Sequence, residues 1–305
     1  MNIVGKWNKN KYKIIKAIGR GNFGKVYKGQ DLMGNIVAIK ISKELLSLTN
    51  EHNGLLKFKN MDFVPTIYDF DDWECNGEIY HFVVMDYILG KTLKEIGKSN
   101  QLNTRHIFKI GLRLLDIMKK IDNLGYKYTD IKLENIILTQ SGDIYLIDYG
   151  SLVEKDKPTK EYTQVYNINS WNVKYKYNLE KSILFSINMI LINLIGNFEY
   201  NPIQYSLENL INRVYKFHIS RAEKEFLVKG LKGKFNSFSE YENSLKKLLN
   251  KGKSNRNLSK IDYILIFSIV SFVFVFLIGL KRIFYFILIV NLLKFYGDSY
   301  KIKRE

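Results

Sequence analysis

The sequence predicts an α+β fold in which a strand-rich N-terminal part precedes a helical part and a hydrophobic C-terminal segment. Residues 12–41 and 63–87 are β-prone and are divided by tight turns, which is typical of antiparallel strands. From Asn103 onward, apolar residues recur at helical spacing. Residues 263–280 hold no charged residue over eighteen positions, which predicts a helix that spans a membrane.

Composition excludes several classes of protein. The chain has 305 residues, of which 46% are hydrophobic and 25% charged, so we expect packed domains and not disorder. The single cysteine, Cys75, excludes an intramolecular disulfide, and the four histidines lie too far apart to suggest a local zinc-binding motif. The N-terminus lacks the apolar stretch of a secretory signal, and Asn2 stands where myristoylation needs glycine.

The formal net charge of +17 divides unevenly along the chain. Residues 251–305 carry ten Lys/Arg against three acids, a net +7, which leaves +10 for residues 1–250. Such a balance favours anionic partners, which include lipid headgroups, nucleic acid and acidic protein. It does not choose among them, and a solvated lysine-rich surface explains it equally well.

Turn and cap signals place the elements. Met33-Gly34-Asn35 and Asn76-Gly77 predict turns, the second a two-residue hairpin, with a helix between them at 43–59. Asn103 or Thr104 is expected to cap a long helix that stops at Gly125. Further helices are predicted near 179–195, 207–217, 222–231 and 239–249.

The first motif is Gly19-Arg20-Gly21-Asn22-Phe23-Gly24, a spacing found where the backbone approaches phosphate oxygens. The β-prone residues after Gly24 indicate that this loop joins two strands, which argues against a dinucleotide-binding turn that opens a helix. An ordinary hairpin turn remains the alternative. Lys40 follows on an apolar strand, where an ammonium needs an anion or an acid; Glu51 in the predicted helix is the natural acid.

Two further motifs follow the long helix. Residues 128–135 read YTDIKLEN, and residues 148–150 read DYG. Phosphoryl transfer needs a carboxylate to orient the nucleophile, a cation on the phosphates, and a carboxylate with an amide to hold magnesium. Asp130, Lys132, Asn135 and Asp148 supply that set.

In this order the motifs resemble the eukaryotic-type (Hanks) serine/threonine protein kinase family, over about residues 10–250. The resemblance implies a two-lobed fold, with an N-lobe at 1–88 and a C-lobe at 89–250, ATP with Mg²⁺ (or Mn²⁺) as cofactors, and protein hydroxyls as acceptors. It also implies the roles of the motif residues: Asp130 as catalytic base, Lys132 on the transferred phosphate, Lys40 on the α- and β-phosphates and paired with Glu51, and Asn135 and Asp148 as metal ligands.

By the same resemblance, the glycine loop covers the phosphates and other residues hold the adenine. Val26, Ala38 and Ile137 would sandwich the base, with Met85 at the back of the pocket and Asp86 to Ile88 as the hinge. Leu55, Ile67, Tyr128 and Tyr149 match the stacked internal spine of the family.

The departures from the family pattern fall on regulation and substrate binding. Thr129 replaces the arginine before the catalytic aspartate, so a phosphate on the activation segment lacks its usual partner there. No Ala-Pro-Glu motif follows Gly150, and Ile183 stands where an aspartate is common. A pseudokinase or a nucleotide-binding scaffold is therefore the alternative function, with a small-molecule kinase as a third. Ser151, Thr159 and Thr163 are the candidate autophosphorylation sites.

The C-terminal residues predict a membrane anchor at 263–296, between a basic linker at 251–262 and a basic tail at 297–305. The anchor is either a hairpin with both ends cytoplasmic or a single span followed by an interfacial helix. Either topology places the kinase domain in the cytoplasm. A kinase domain with such a tail resembles small kinases of spore-forming bacteria, and that resemblance admits nucleic acid as an activator.

Overall fold

The computed structural model describes residues 1–21, 24–99, 102–158, 163–174 and 178–254, together with Gly279, Tyr285 and residues 288–293. The chain divides into two compact units, Met1–Leu249 and Asn250–Glu305. Several predictions fall outside the described residues: Asn22, Phe23, Thr159, most of the linker and anchor, and the basic tail.

The N-terminal lobe is built on one six-stranded antiparallel sheet with the spatial order β1-β2-β3-β4-β6-β5. Its strands are β1 (Asn2–Val4), β2 (Lys11–Gly21), β3 (Gly24–Gln30), β4 (Ile36–Ser42), β5 (Ile67–Cys75) and β6 (Glu78–Asp86). The predicted hairpin turn between β5 and β6 is present, because Asn76 and Gly77 both adopt positive φ, 55° and 77°. Two positive φ values are what a tight hairpin turn of this length requires.

Strand β1 and the loop after it were not predicted from the sequence. The carboxylate of Asp71 fixes the loop by accepting hydrogen bonds from the backbone amides of Trp7 at 3.0 Å and Asn8 at 2.7 Å. Asp69 accepts from the side-chain amide of Asn8 at 2.7 Å and from the hydroxyl of Tyr12 at 2.9 Å. Both aspartates are buried, so the N-terminus is an integral part of the sheet.

The helices and the short strands make up the rest of the described chain as far as Ser254. A single helix, α1 (Leu45–Lys57), lies in sequence between β4 and β5. The other helices are α2 (Leu93–Ser99), α3 (Thr104–Asn123), α4 (Leu179–Gly196), α5 (Leu207–Tyr215), α6 (Arg221–Leu231) and α7 (Phe238–Ser254). Five short strands follow: β7 (Gly90–Thr92), β8 (Tyr126–Tyr128), β9 (Ile136–Thr139), β10 (Ile144–Leu146) and β11 (Leu152–Glu154). They form a three-stranded sheet in the order β10-β9-β7 and a two-stranded sheet of β11 and β8.

Helix boundaries follow the capping signals. The side chain of Asn103 accepts from the backbone amide of His106 at 2.9 Å, which identifies Asn103 and not Thr104 as the cap of α3. Gly125, with φ of 82°, ends the helical segment as predicted. Within the described part of the chain, α4 alone is long and apolar enough to cross a membrane, and 61% of it is buried inside the protein. Helix α4 is therefore the central core helix of the C-terminal lobe.

Candidate active site

Lys40 lies in the middle of β4, opposite Val26 of β3 and Val83 of β6. Its Nζ atom forms an ion pair with Glu51 of α1, a side chain that is only 1% exposed. Burial raises the pKa of Glu51 to about 7, with Lys40 opposing the rise and Asp148 adding to it. Lys40 Nζ also lies 3.9 Å from Asp148 Oδ1. The structure thus brings together three of the predicted site residues from distant parts of the chain.

Asp130 organises the second group of predicted residues. Asn135 donates its side-chain amide to Oδ2 of Asp130 and to the backbone carbonyl of Asp130, both at 3.1 Å. Lys132 pairs with the same Oδ2 atom. Because the amide nitrogen of Asn135 makes both contacts, its oxygen Oδ1 is the atom that can face a cation.

The two groups meet through the pairing of β9 with β10. Ile136 lies opposite Leu146 in that pair, and the backbone amide of Ile147 donates to the carbonyl of Asn135 at 3.1 Å. Asp148, one residue further on, therefore lies beside Asn135. All the residues predicted to transfer the phosphate or to hold the metal consequently lie around one region of the fold.

The oxygen atoms of Asn135 and Asp148 fit a hard divalent cation. Asp148 is 38% exposed on its side chain, and Asn135 offers an amide oxygen. The described residues contain no cluster of three or more His, Cys, Asp or Glu that would hold a metal without help. Mg²⁺ suits this pair, because it is usually held by one or two protein oxygens together with waters and substrate phosphates.

The residues predicted to hold the adenine come from both lobes. Ala38 of β4 lies opposite Met85 of β6, and both are buried. Val26 of β3 and Ile137 of β9 are partly buried. The hinge from Asp86 to Ile88 connects β6 to β7.

Asp86, the first residue of the hinge, is bound through its backbone amide and its carboxylate to residues at the start of β5. Its backbone amide donates to the carbonyl of Thr66 at 2.9 Å. Its carboxylate accepts from the amide of Thr66 at 2.8 Å and from the hydroxyl of Tyr68. The side chain of Asp86 is therefore directed to Thr66 and Tyr68.

Gly24 and Gly21, on either side of the turn between β2 and β3, are glycine for different reasons. Gly24 has φ of 156°, and a Cβ atom there would lie 2.4 Å from the carbonyl oxygen of Ile41, so the fold itself requires glycine. A Cβ atom on Gly21 would meet no atom of the described residues within 4 Å. The described residues therefore leave room at Gly21, which agrees with the prediction that this loop approaches phosphates.

The family model for the protein kinase domain matches residues 12–258 of this chain. The chain belongs to the protein kinase family.

Three relatives with serine/threonine kinase in their names place this kinase among the Hanks-type enzymes. Serine/threonine-protein kinase YabT of Bacillus subtilis is 29% identical over 250 residues, which are 80% of this chain and 73% of YabT. Probable serine/threonine-protein kinase PknB of Lactococcus lactis is 29% identical over 156 residues, 48% of this chain and 24% of PknB. Serine/threonine-protein kinase PrkC of Bacillus subtilis is 24% identical over 209 residues, 63% of this chain and 31% of PrkC. The kinase thus spans under a third of the length of the latter two.

The internal spine of the kinase contains two tyrosines in edge-to-face contact. The rings of Tyr128 and Tyr149 lie 6.3 Å apart between centroids, and both buried side chains belong to the same hydrophobic core as Leu55 and the partly buried Ile67. Burial raises the pKa of both phenols well above the usual value. Tyr149 also donates its hydroxyl to the carbonyl of Phe63 at 3.3 Å, which fixes the position of the neighbouring Asp148.

Gly54 of α1 is a further residue of the site, which the sequence motifs do not include. A Cβ atom on Gly54 would lie 3.0 Å from both Cβ and the carbonyl oxygen of Tyr149. The glycine therefore allows α1, which carries Glu51, to approach the DYG motif closely. Its position within a predicted helix was the available signal, because glycine costs stability there unless packing needs it.

The activation segment of the kinase is held by contacts with residues 127–129, which precede the proposed catalytic base. The hydroxyl of Thr129 donates to the carbonyl of Ser151 at 2.9 Å. Leu152 of β11 lies opposite Tyr128 of β8. Lys127 is buried and donates from Nζ to the carbonyl of Lys155 at 3.2 Å. Thr129, which stands in place of the arginine, is thus an anchor of this segment.

Two of the three candidate autophosphorylation sites can be placed. Ser151 is 6% exposed, which removes it from the reach of a second kinase molecule. Thr163 donates its hydroxyl to Asp130 Oδ1 at 2.7 Å. Thr163 therefore takes part in positioning Asp130, a role that the sequence reasoning did not assign to it.

Proposed function

We propose that this kinase is catalytically active, uses ATP with Mg²⁺ (or Mn²⁺), and phosphorylates serine or threonine side chains of proteins. One observation carries the proposal: Lys40, Glu51 and Asp148 form one contact set, and Asp130, Lys132 and Asn135 form a second beside it. A pseudokinase has no need for this whole set. The alternative of an inert scaffold is therefore less well supported.

Each residue has a definite proposed task. Asp130 orients the acceptor hydroxyl and takes its proton, and Lys132 neutralises charge on the transferred phosphate. Lys40, oriented by Glu51, binds the α- and β-phosphates. Asn135 and Asp148 would hold the divalent cation, which supplies charge neutralisation between the phosphates when bound.

The test is transfer of a labelled γ-phosphate to a general protein acceptor by the full-length chain in detergent. We expect Asp130→Asn to lose at least a hundredfold in rate while it still binds ATP, since the base acts on the acceptor and not on the nucleotide. Asp143→Asn, a matched change at an exposed aspartate in the turn after β9, should keep the parent rate. A parent chain that binds ATP and transfers nothing would make the scaffold reading correct.

We also propose a membrane anchor at 263–296, between the basic linker at 251–262 and the basic tail at 297–305. The uncharged run at 263–280 supports it. Residues 288–293 are helical, and their five apolar side chains are each between 45% and 67% exposed. Apolar helix surface of this kind is stable in contact with lipid.

Labelling can decide between the hairpin and the single span. Cys75→Ser removes the one cysteine, and Ser299→Cys then places a reporter in the basic tail. An impermeant maleimide added to intact cells should fail to label a hairpin and should label the tail after a single span. Recovery of the chain in the supernatant after carbonate extraction would contradict any anchor.

Activation by nucleic acid stays a prediction that rests on the resemblance to small kinases of spore-forming bacteria and on the positive net charge. A salt-sensitive rise in transfer rate on addition of DNA would support it. An unchanged rate at low salt would remove it.

A further inference from the structure

Three charged residues outside the phosphate-transfer set form a cluster in the C-terminal lobe. Lys94 of α2 pairs with Oε1 of Glu134, and its Nζ atom lies 3.6 Å from Oε2 of Glu199. The three side chains are between 30% and 39% exposed. Glu134 and Glu199 therefore form a partly exposed acidic pair, and Lys94 lies between them.

The position of Lys94 is electrostatically unfavourable apart from these contacts. It lies in the first turn of α2, where the backbone amides disfavour a cation. The hydrogen bond to Glu134 is the main cause that raises the pKa of Lys94. One ammonium cannot neutralise two carboxylates, and Oε2 of Glu134 is buried with no hydrogen-bond partner among the described residues.

A continuous set of contacts connects this acidic pair to the catalytic base. Glu134 belongs to the short turn Leu133–Asn135 that follows Lys132. Glu199 accepts the hydroxyl of Tyr166 at 2.8 Å. The backbone amide of Tyr166 donates to the carbonyl of Thr163 at 3.0 Å, and Thr163 contacts Asp130. The pair thus adjoins the segment along which an acceptor protein must approach Asp130.

We propose that Lys94 determines which acceptors are used, because it occupies Glu134 and Glu199 and so prevents them from binding a basic side chain of the substrate. The inference rests on the proposed kinase activity. A tethered ammonium acts at an effective concentration of about a millimolar or more. A basic side chain of an acceptor protein at micromolar concentration competes poorly with Lys94. Glu134 and Glu199 therefore do not bind an arginine or lysine of the substrate.

Removal of Lys94 should convert the pair into an arginine site. The experiment compares kcat/KM of the full-length chain for acceptor peptides that carry arginine at one position near the serine with kcat/KM for alanine-matched peptides. Lys94→Met should raise the best arginine-to-alanine ratio about tenfold, the equivalent of about 1.4 kcal/mol, and Lys94→Glu should raise it further. A guanidinium between two carboxylates explains this gain.

The controls separate selection from general activity. Lys98→Met removes an exposed lysine from the same helix and should leave the ratio at the parent value. Lys94→Met combined with Glu134→Gln and Glu199→Gln should return it to that value. An unchanged ratio in Lys94→Met, with the alanine peptide phosphorylated at the parent rate, would overturn this inference alone. A parent chain that phosphorylates no peptide would overturn the proposed function, and this inference with it.

Discussion

Thr163 donates its side-chain hydroxyl to Oδ1 of Asp130 across 2.7 Å. The other oxygen of that carboxylate is bound by Asn135 and Lys132. Both oxygens of the proposed base are therefore held, one by the catalytic loop and the other by the activation segment. This arrangement makes the position of the base depend on the position of the segment that receives the acceptor.

Thr163→Ala should lower kcat by about tenfold to a hundredfold, because small errors in the placement of a catalytic group are costly. The KM for ATP should change little, since Thr163 has no contact with the predicted nucleotide pocket in the described structure. Thr163→Ser keeps the hydroxyl and should recover most of the rate. Steady-state kinetics with a peptide acceptor measure both, and equal rates for the serine and alanine variants would contradict the role of the hydroxyl.

Because Thr129 anchors the activation segment, we expect the kinase to be active without phosphorylation of that segment. Treatment of the purified parent with phosphatase should leave its transfer rate unchanged, because the bond to the Ser151 carbonyl does the anchoring. Thr129→Val should cost about 1 kcal/mol of stability and part of the rate, and Thr129→Ser should cost less. A rate that falls on phosphatase treatment would show that a phosphate holds the segment.

Glu51 should make stability depend on pH in a definite direction. Burial raises its pKa from 4.5 to about 7, so the folded protein binds the proton more tightly. Its stabilising contribution is then full below about pH 4.5 and is lost as pH rises through about 7. Transfer activity should rise in the same window, because the ion pair with Lys40 needs the ionised carboxylate.

The matched experiment is chemical denaturation from pH 5 to pH 8. In the parent, Glu51 should lower the free energy of unfolding by on the order of 2 kcal/mol between pH 5 and pH 8, and Glu51→Gln should remove this decrease. Glu44→Gln, at an exposed position just before α1, should reproduce the parent profile. Parallel profiles for the parent and Glu51→Gln would show that Glu51 does not titrate in this range.

Gly54→Ala should destabilise the kinase, although the same change in an ordinary helix stabilises by about 0.5 to 1 kcal/mol. The added Cβ atom would lie 3.0 Å from two atoms of Tyr149, and overpacking of this kind costs about 1 to 3 kcal/mol. Gly97→Ala in α2 is the control, because its Cβ atom would meet Leu194 at an ordinary 3.5 Å. Urea denaturation should separate the two variants, and equal effects would contradict the tight packing of α1 on Tyr149.

Local signals in the sequence predicted much of the fold. Three such signals depend only on the conformation of neighbouring residues, and all three are present in the structure: the turn at Asn76-Gly77, the helix cap at Asn103 and the helix stop at Gly125. The order of the glycine loop, the YTDIKLEN segment and the DYG motif was sufficient to identify the family. The proposed site residues come together because these motifs belong to one known arrangement of strands and loops.

Contacts between distant residues could not be predicted in the same way. Asp71 binds the amide of Asn8 across 63 positions, and no local pattern marks it as an anchor of the N-terminus. Lys94 meets Glu134 across 40 positions, and a lysine in a helix has no visible preference for one acid over another. Thr163 appeared in the sequence only as a hydroxyl in a loop. Its role depends on how the activation segment folds back to Asp130.

The proposed function requires Lys40, Asn135 and Asp148 to bind one metal-complexed nucleotide beside Asp130. A crystal structure of the full-length chain with Mg²⁺ and a non-hydrolysable ATP analogue would show whether they do. We expect a metal about 2.1 Å from Oδ1 of Asn135 and from the carboxylate of Asp148, with Nζ of Lys40 on the α- or β-phosphate. A nucleotide bound elsewhere, or a metal that contacts neither side chain, would contradict the proposed function.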